Sequence, residues 1–287
     1  MNWPATTDVG EAGRFLTMTR RAAAVVLLAV IPLLASHRDV AAQPSPPPPK
    51  SMAAIGDSST QAADVCCWYG DHPANSWSSG AAGWDGVLSH YERLRTIQPR
   101  ISVYNDAVSG ARMSDAPAQA QQAVAQGVHY VTILMGANDL CTRSPETMTP
   151  TDTFRAQLQQ TLQTLNTGLP GRSRILVASI PDVYQLWKIY HTDPVALFVW
   201  DVADICQSLL AANRTEDQRQ LVRTRNIEFN TVLQQECAAV ARCRFDDNAV
   251  FNFQFSTGHV SKLDYFHPSL SGQAALAEIT WTVTLWH

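Results

Sequence analysis

The chain has 287 residues, a formal charge of −4 with neutral histidines, 46% hydrophobic and 16% charged residues, and six cysteines. That length and apolar content support a packed core and exclude a disordered tail, a collagen-like repeat and a disulfide-held miniprotein. The acidic balance, with no Lys/Arg run past the N-terminus, excludes the basic footprint a nucleic-acid binder requires.

The first stretch reads as an address. Arg20 and Arg21 precede the apolar run 22–35, and Val40-Ala41-Ala42 closes it before Gln43, the order of a secretory signal peptide over 1–42. The run is shorter than the ~20 residues of a membrane span, and Pro32 interrupts it, so no stable membrane insertion is expected after cleavage. Met18 offers a second translation start. Removing 1–42 takes away Arg14, Arg20, Arg21 and Arg38 against Asp8, Glu11 and Asp39, leaving a mature charge of −5. Residues 43–50, PSPPPPK after Gln43, read as an extended Pro-rich spacer, and 51–287 as one domain with no internal repeat.

Past residue 50, short apolar runs alternate with helical periodicity. Strands are expected at 52–55, 101–104, 128–135, 175–180 and 244–250; helices at 86–94, 116–125, 151–166, 218–241 and 271–285. Such alternation predicts an α/β fold, a three-layer α/β/α sandwich around a mostly parallel five-stranded sheet. Residues 181–216 exceed an ordinary crossover and read either as a lid or as a covered helical excursion.

In open parallel sheets, reactive groups gather at the carboxyl ends of strands. Four short segments fall there. After the first strand, Gly56-Asp57-Ser58 fits an exposed serine on a strand-to-helix turn, or an ordinary turn with an N-cap. After the second, Gly110 in NDAVSGA could turn a free N–H into a cleft. After the third, Asn138 in GAND carries an amide suited to an oxyanion, although Asn also simply forms turns. Near the end, Asp264 stands three positions before His267, spaced to orient an imidazole.

In this order, GDSST, the glycine of NDAVSGA, GAND and DYFHP resemble the SGNH hydrolases, the GDSL-type esterase and lipase family, over essentially the whole mature region, in a secreted bacterial-type form. The resemblance implies a flavodoxin-like sandwich and a carboxylic ester hydrolase. It implies Ser58 as nucleophile, His267 as general base and Asp264 as its orienting acid. It also implies an oxyanion hole of the Ser58 N–H, Gly110 and Asn138. The first block departs from the family name in having Ser59-Thr60 after the serine. The reaction class is hydrolysis of simple acyl, lipid or acetyl-polysaccharide esters; the competing readings are an acyltransferase using the same triad and an inactive binding protein on the same scaffold. No cofactor or metal is expected, and the chain reads as a monomer acting on small-molecule, lipid or polysaccharide esters.

Tyr265 and Phe266, between acid and base, are expected to border the site, and Trp68 could line a groove beside it. Asp71-His72 imitates a catalytic pair but reads as a surface turn; Ser109 reads as a turn hydroxyl, and Asp57 and Asp139 as loop-backbone acceptors. His129 reads as interior, and His90, His191 and His259 as surface or core. Export implies disulfides: Cys141 with Cys206, Cys237 with Cys243, and Cys66 and Cys67 either in a vicinal bridge or swapped into the other pairs.

Overall fold

The computed structural model describes residues 46–287. The signal peptide read at 1–42 and residues 43–45 of the spacer lie outside the described residues. Pro46 and Pro49 lie against the domain: Pro49 is buried, and the Pro46 carbonyl accepts from Trp286 Nε1 at 3.1 Å.

Five strands, β1 (Ser51–Gly56), β2 (Ser102–Asn105), β3 (Tyr130–Leu134), β4 (Arg174–Val177) and β5 (Cys243–Phe245), form one all-parallel sheet in the order β2-β1-β3-β4-β5. The helices are α1 (His90–Ile97), α2 (Ala116–Ala125), α3 (Ala137–Leu140), α4 (Thr151–Gly168), α5 (Tyr184–Tyr190), α6 (Pro194–Val202), α7 (Gln207–Leu210), α8 (Glu216–Ala238), α9 (Ala249–Asn252) and α10 (Leu270–Trp281).

Period-two alternation explains the layers. Ala53, Ile55, Val131, Ile133, Ile175 and Val177 face a core shared with α2, α4 and α8. Met52, Tyr130 and Leu176 point the other way, into a core completed by Leu94 of α1 and Trp281 of α10. Phe154 and Phe229 stack with centroids 4.0 Å apart where α4 meets α8.

The element boundaries differ from the sequence expectation for physical reasons. The first helix starts at residue 90, not 86, because Ser89 and Glu92 form a reciprocal capping box. Thr215 and Gln218 do the same for α8, two residues earlier than expected. The last strand ends at Phe245 instead of running to 250: Asp246 accepts from the backbone N–H groups of Asn248 and Val250 and from Ser179 Oγ, and turns the chain into α9. No regular helix follows Ser58; residues 57–64 form successive turns.

The expected pairs Cys141–Cys206 and Cys237–Cys243 are bonded. Cys66 and Cys67 are a correction to the vicinal or swapped bridge: both are free thiols, with Sγ atoms 2.7 Å apart. Neighbouring Cα atoms sit about 3.8 Å apart, below the roughly 4.4–6.8 Å usual for a disulfide, so closing that bond would strain the peptide between them. Burial and Cys67 push the Cys66 thiol up to about 11.

Gly56 is required by close approach. A Cβ there would collide with Thr60 Oγ1 and stand 2.7 Å from the Leu134 carbonyl. Gly56→Ala should therefore cost about 1–3 kcal/mol of stability, read as a lower thermal midpoint with the far-UV spectrum intact.

Candidate active site

The strand order reverses direction at β1, which lies between β2 and β3, and the crevice outside the carboxyl ends of β1 and β3 is where such sheets bind ligands. Ser58 emerges there, two residues past β1. Two buried glutamines hold its loop. Gln119 of α2 accepts from Gly56 N–H at 2.9 Å and donates to the Gly56 carbonyl at 3.0 Å. Gln273 of α10 accepts from Trp77 N–H and donates to the Ser59 carbonyl at 2.8 Å. Neither was singled out in the sequence, since glutamine in a helix carries no motif.

Ser58 Oγ lies 2.7 Å from His267 Nε2, and His267 Nδ1 is hydrogen-bonded to Asp264 Oδ2. The other oxygen of Asp264 accepts from the backbone N–H groups of Phe266 and His267 at 2.9 and 3.1 Å, so acid and imidazole are fixed by one short loop. A hydroxyl bonded to an imidazole whose far nitrogen meets a carboxylate can lose its proton to the ring as it attacks a carbonyl.

The charges are arranged to support that transfer. Burial disfavours a charged His267, but the Asp264 hydrogen bond and the charges of Asp264, Asp64 and Asp57 outweigh it and raise the ring above its ordinary value. Burial acts against Asp264 too; His267 and two backbone N–H groups still hold it below the usual carboxylate range. Asp57, buried in the floor of the cleft, is pushed up to about 6 by burial, against the lowering effect of the Ser59 N–H.

Asn138, in the one-turn helix after β3, lines the same cleft as Ser58 and His267. One hydrogen of its Nδ2 goes to the Ala111 carbonyl at 3.0 Å, which ties the loop after β2 to the loop after β3. Gly110, next to Ala111, stands at φ +83° on the exposed loop, with open space where a Cβ would lie, and is not among the cleft-lining residues. The structure thus brings Ser58, His267, Asp264 and Asn138 together, and keeps Gly110 on the neighbouring loop.

The cleft wall is apolar. Ile180, Val183, Leu186, Ile189, Phe255 and Phe266 line a cavity of ≈ 70 Å³ beside Ser58. Of the residues expected to border it, Phe266 does; Tyr265 and Trp68 do not. Tyr265 turns at φ +56° to pack on Tyr190, and Trp68 is 67% exposed against His72. Residues 180–189 supply Ile180, Val183, Leu186 and Ile189 to that wall, so the excursion builds the cleft with α5 rather than covering it as a lid. Those residues lacked a motif, and only their apolar density marked them.

The tempting residues resolve simply. Asp71 accepts from Ser109 Oγ, and His72 pairs with the Trp68 carbonyl, away from the triad geometry. His90 is core, bonded to Tyr130 and Thr280; burial lowers it to about 3 and keeps it neutral. His129 is half-buried just before β3, His191 is exposed, and His259 is a cleft-wall residue. Asp139 accepts from Met113 N–H and Thr149 Oγ1, the loop role expected of it.

One site residue was missed. Asp64 faces the Nδ1 side of His267 at 3.8 Å, and the ligand-type atoms of Asp64, Asp264 and His267 lie within 4.8 Å of one another. The Asp264 hydrogen bond already engages Nδ1, the ring nitrogen a metal ion in that gap would need.

A parallel sandwich with a hydrogen-bonded serine, histidine and aspartate at its switch point has the arrangement that serine hydrolases use. The GDSL-like Lipase/Acylhydrolase family profile matches residues 52–280, and the chain belongs to that family of carboxylic ester hydrolases. Among solved structures it is similar in fold to an extracellular lipase from Streptomyces rimosus, at 16% identity and TM-score 0.50, covering 82% of this chain and 100% of that one. A phospholipase A1 from Streptomyces albidoflavus matches at 16% identity and TM-score 0.51, covering 82% and 100%. An acetyl xylan esterase matches at 14% identity and TM-score 0.51, covering 81% and 98%. No curated protein sequence matches the chain.

Proposed function

We propose that this protein is a secreted serine esterase for carboxylic esters with short apolar acyl groups, using Ser58, His267 and Asp264 as its triad. The observation that carries the reading is the continuous hydrogen-bonded line from Asp264 through His267 to Ser58, opening on an apolar cleft. His267 takes the Ser58 proton as Oγ bonds to the ester carbonyl carbon. The resulting oxyanion is met by the Ser58 N–H and the second hydrogen of Asn138 Nδ2. The C–O bond to the alcohol then breaks, the imidazolium protonates the leaving alkoxide, and a water repeats the sequence on the acyl-enzyme.

Export is supported by the signal-peptide order of residues 1–42 and by the two disulfides. No helix among the described residues is long and apolar enough to cross a membrane. In this reading 43–50 is a linker to a single domain over 51–287.

The acyl preference follows from the cavity. The pocket beside Ser58 is small and walled by apolar side chains, which favours a short acyl chain over a fatty-acyl chain. Across acetyl, butyryl, hexanoyl and palmitoyl esters of one alcohol, kcat/KM should peak at butyryl to hexanoyl and fall at least ~10-fold at palmitoyl. Fastest turnover on palmitoyl would sink the acyl assignment; a maximum at acetyl on a polysaccharide would replace it with deacetylation.

A further inference from the structure

Asp64 sits six residues after Ser58 in the turn region that follows β1. Its backbone is left-handed, φ +52°, a conformation that asparagine, aspartate and glycine adopt more readily than other residues. Three contacts lock it there: Asp64 N–H donates to the Gly70 carbonyl at 2.9 Å, Gly70 N–H donates to Asp64 Oδ1 at 2.6 Å, and Ser261 Oγ donates to the Asp64 carbonyl. The last of these anchors the turn directly to the loop that carries Asp264 and His267. With Oδ1 held by Gly70, Oδ2 is left pointing at His267 Nδ1, 3.8 Å away, with the side chain only 18% exposed.

We propose that Asp64 is a positioning residue for His267: a second carboxylate that, together with Asp264, stabilises the imidazolium formed when the ring accepts the Ser58 proton. This rests on the triad reading given above. Asp264 does the orienting through its hydrogen bond to Nδ1, and Asp64 adds charge to the same side of the ring without competing for that proton.

The charged groups facing His267 are Asp264, Asp64 and Asp57, all carboxylates. Asp64 is itself raised, by burial first and by the charge of Asp264 and a hydrogen bond to its carboxyl, against the opposing Gly70 N–H and the His267 charge, whereas Asp264 is lowered; Asp64 therefore takes up a proton at higher pH than Asp264. The sign for catalysis is fixed by the base's need to be neutral. A carboxylate beside the ring raises its pKa, so deleting that charge leaves the ring neutral down to lower pH, and the acidic limb of kcat/KM moves down.

Asp64→Asn separates charge from structure, because its side-chain oxygen still accepts from Gly70 N–H and asparagine tolerates the left-handed backbone. Asp64→Gly is the second variant, since glycine suits φ +52° better still. In both, the acidic limb should fall by about half a pH unit, with plateau kcat reduced ~3-fold, the factor that half a unit represents in imidazolium stability. In a Ser58→Ala background, the His267 ring titration followed by NMR should move down by the same amount when Asp64→Asn is added. A limb and a ring titration that coincide with wild type, or move up, would overturn the proposal; a purely structural Asp64 would lower kcat or melting temperature and leave both in place. The triad reading fails on a different result, retained turnover by Ser58→Ala alone.

Discussion

Ser58→Ala should leave less than about one part in 10⁴ of wild-type kcat on a butyryl ester, because removing the nucleophile removes the acyl-enzyme route and leaves only binding and oxyanion stabilisation. The fold should be indifferent. Ser58 is buried, and its Oγ bonds to His267 alone among the described side chains, so the variant loses one hydrogen bond and a small polar atom. The comparison needs three readings on one preparation: melting temperature, covalent labelling by a fluorophosphonate, and steady-state turnover. An unchanged melt with no labelling and no turnover is the expected result. Labelling of folded wild-type protein anywhere but Ser58 would end the assignment.

Asn138→Ala carries the second largest expected effect. Losing one preorganised oxyanion donor costs on the order of 100- to 1,000-fold in kcat, with KM little changed because the donor acts on charge that develops only in the transition state. Here the residue has a second task. Its Nδ2 also bonds to the Ala111 carbonyl, beside Gly110, so the substitution unties the loop after β2 from the loop after β3. Asn138→Asp distinguishes the two effects: it keeps the volume, replaces both donor hydrogens with a carboxylate and adds charge where negative charge must form. It should be at least as inactive as Asn138→Ala. A rise in KM with kcat unchanged in either variant would mean that Asn138 binds substrate and does not stabilise the oxyanion.

The parts of this site that could be read from sequence are those in which chemistry dictates residue type within a few positions. Asp264 and His267 work from one loop, Gly56 and Ser58 from one turn, and Asn138 from the end of a buried strand whose apolar run announces it. The central strands were legible for a similar reason: β1, β3 and β4 are buried on both faces, which favours a near-continuous apolar run, broken in β3 by Thr132 bonded to Ser78. Asp64 was illegible because its meaning is tertiary. It becomes a neighbour of His267 only through a contact between its carbonyl and Ser261, 197 positions away. The α5 wall was hidden likewise, since Leu186 and Ile189 are ordinary helix residues, and Val183 an ordinary residue at the helix start, until the fold turns them toward Ser58. By contrast, the starts of α1 and α8 could have been placed from the pairs Ser89 with Glu92 and Thr215 with Gln218, which are capping-box spacings. Trp68 misled because aromatic character says nothing about which way a surface loop faces.

The two halves of the hydrogen bond between Ser58 and His267 are separated by 209 positions, almost the full length of the folded domain. Synthesis therefore reaches Ser58 long before the loop that carries His267. Until that loop has been made and docked, Ser58 has no imidazole beside it, even where β1 to β5 are already paired, and its hydroxyl is an ordinary alcohol. A chain cut short before His267 lacks the base for the same reason, however well its sheet has formed, so in the proposed mechanism the hydroxyl gains its reactivity only when two distant segments meet.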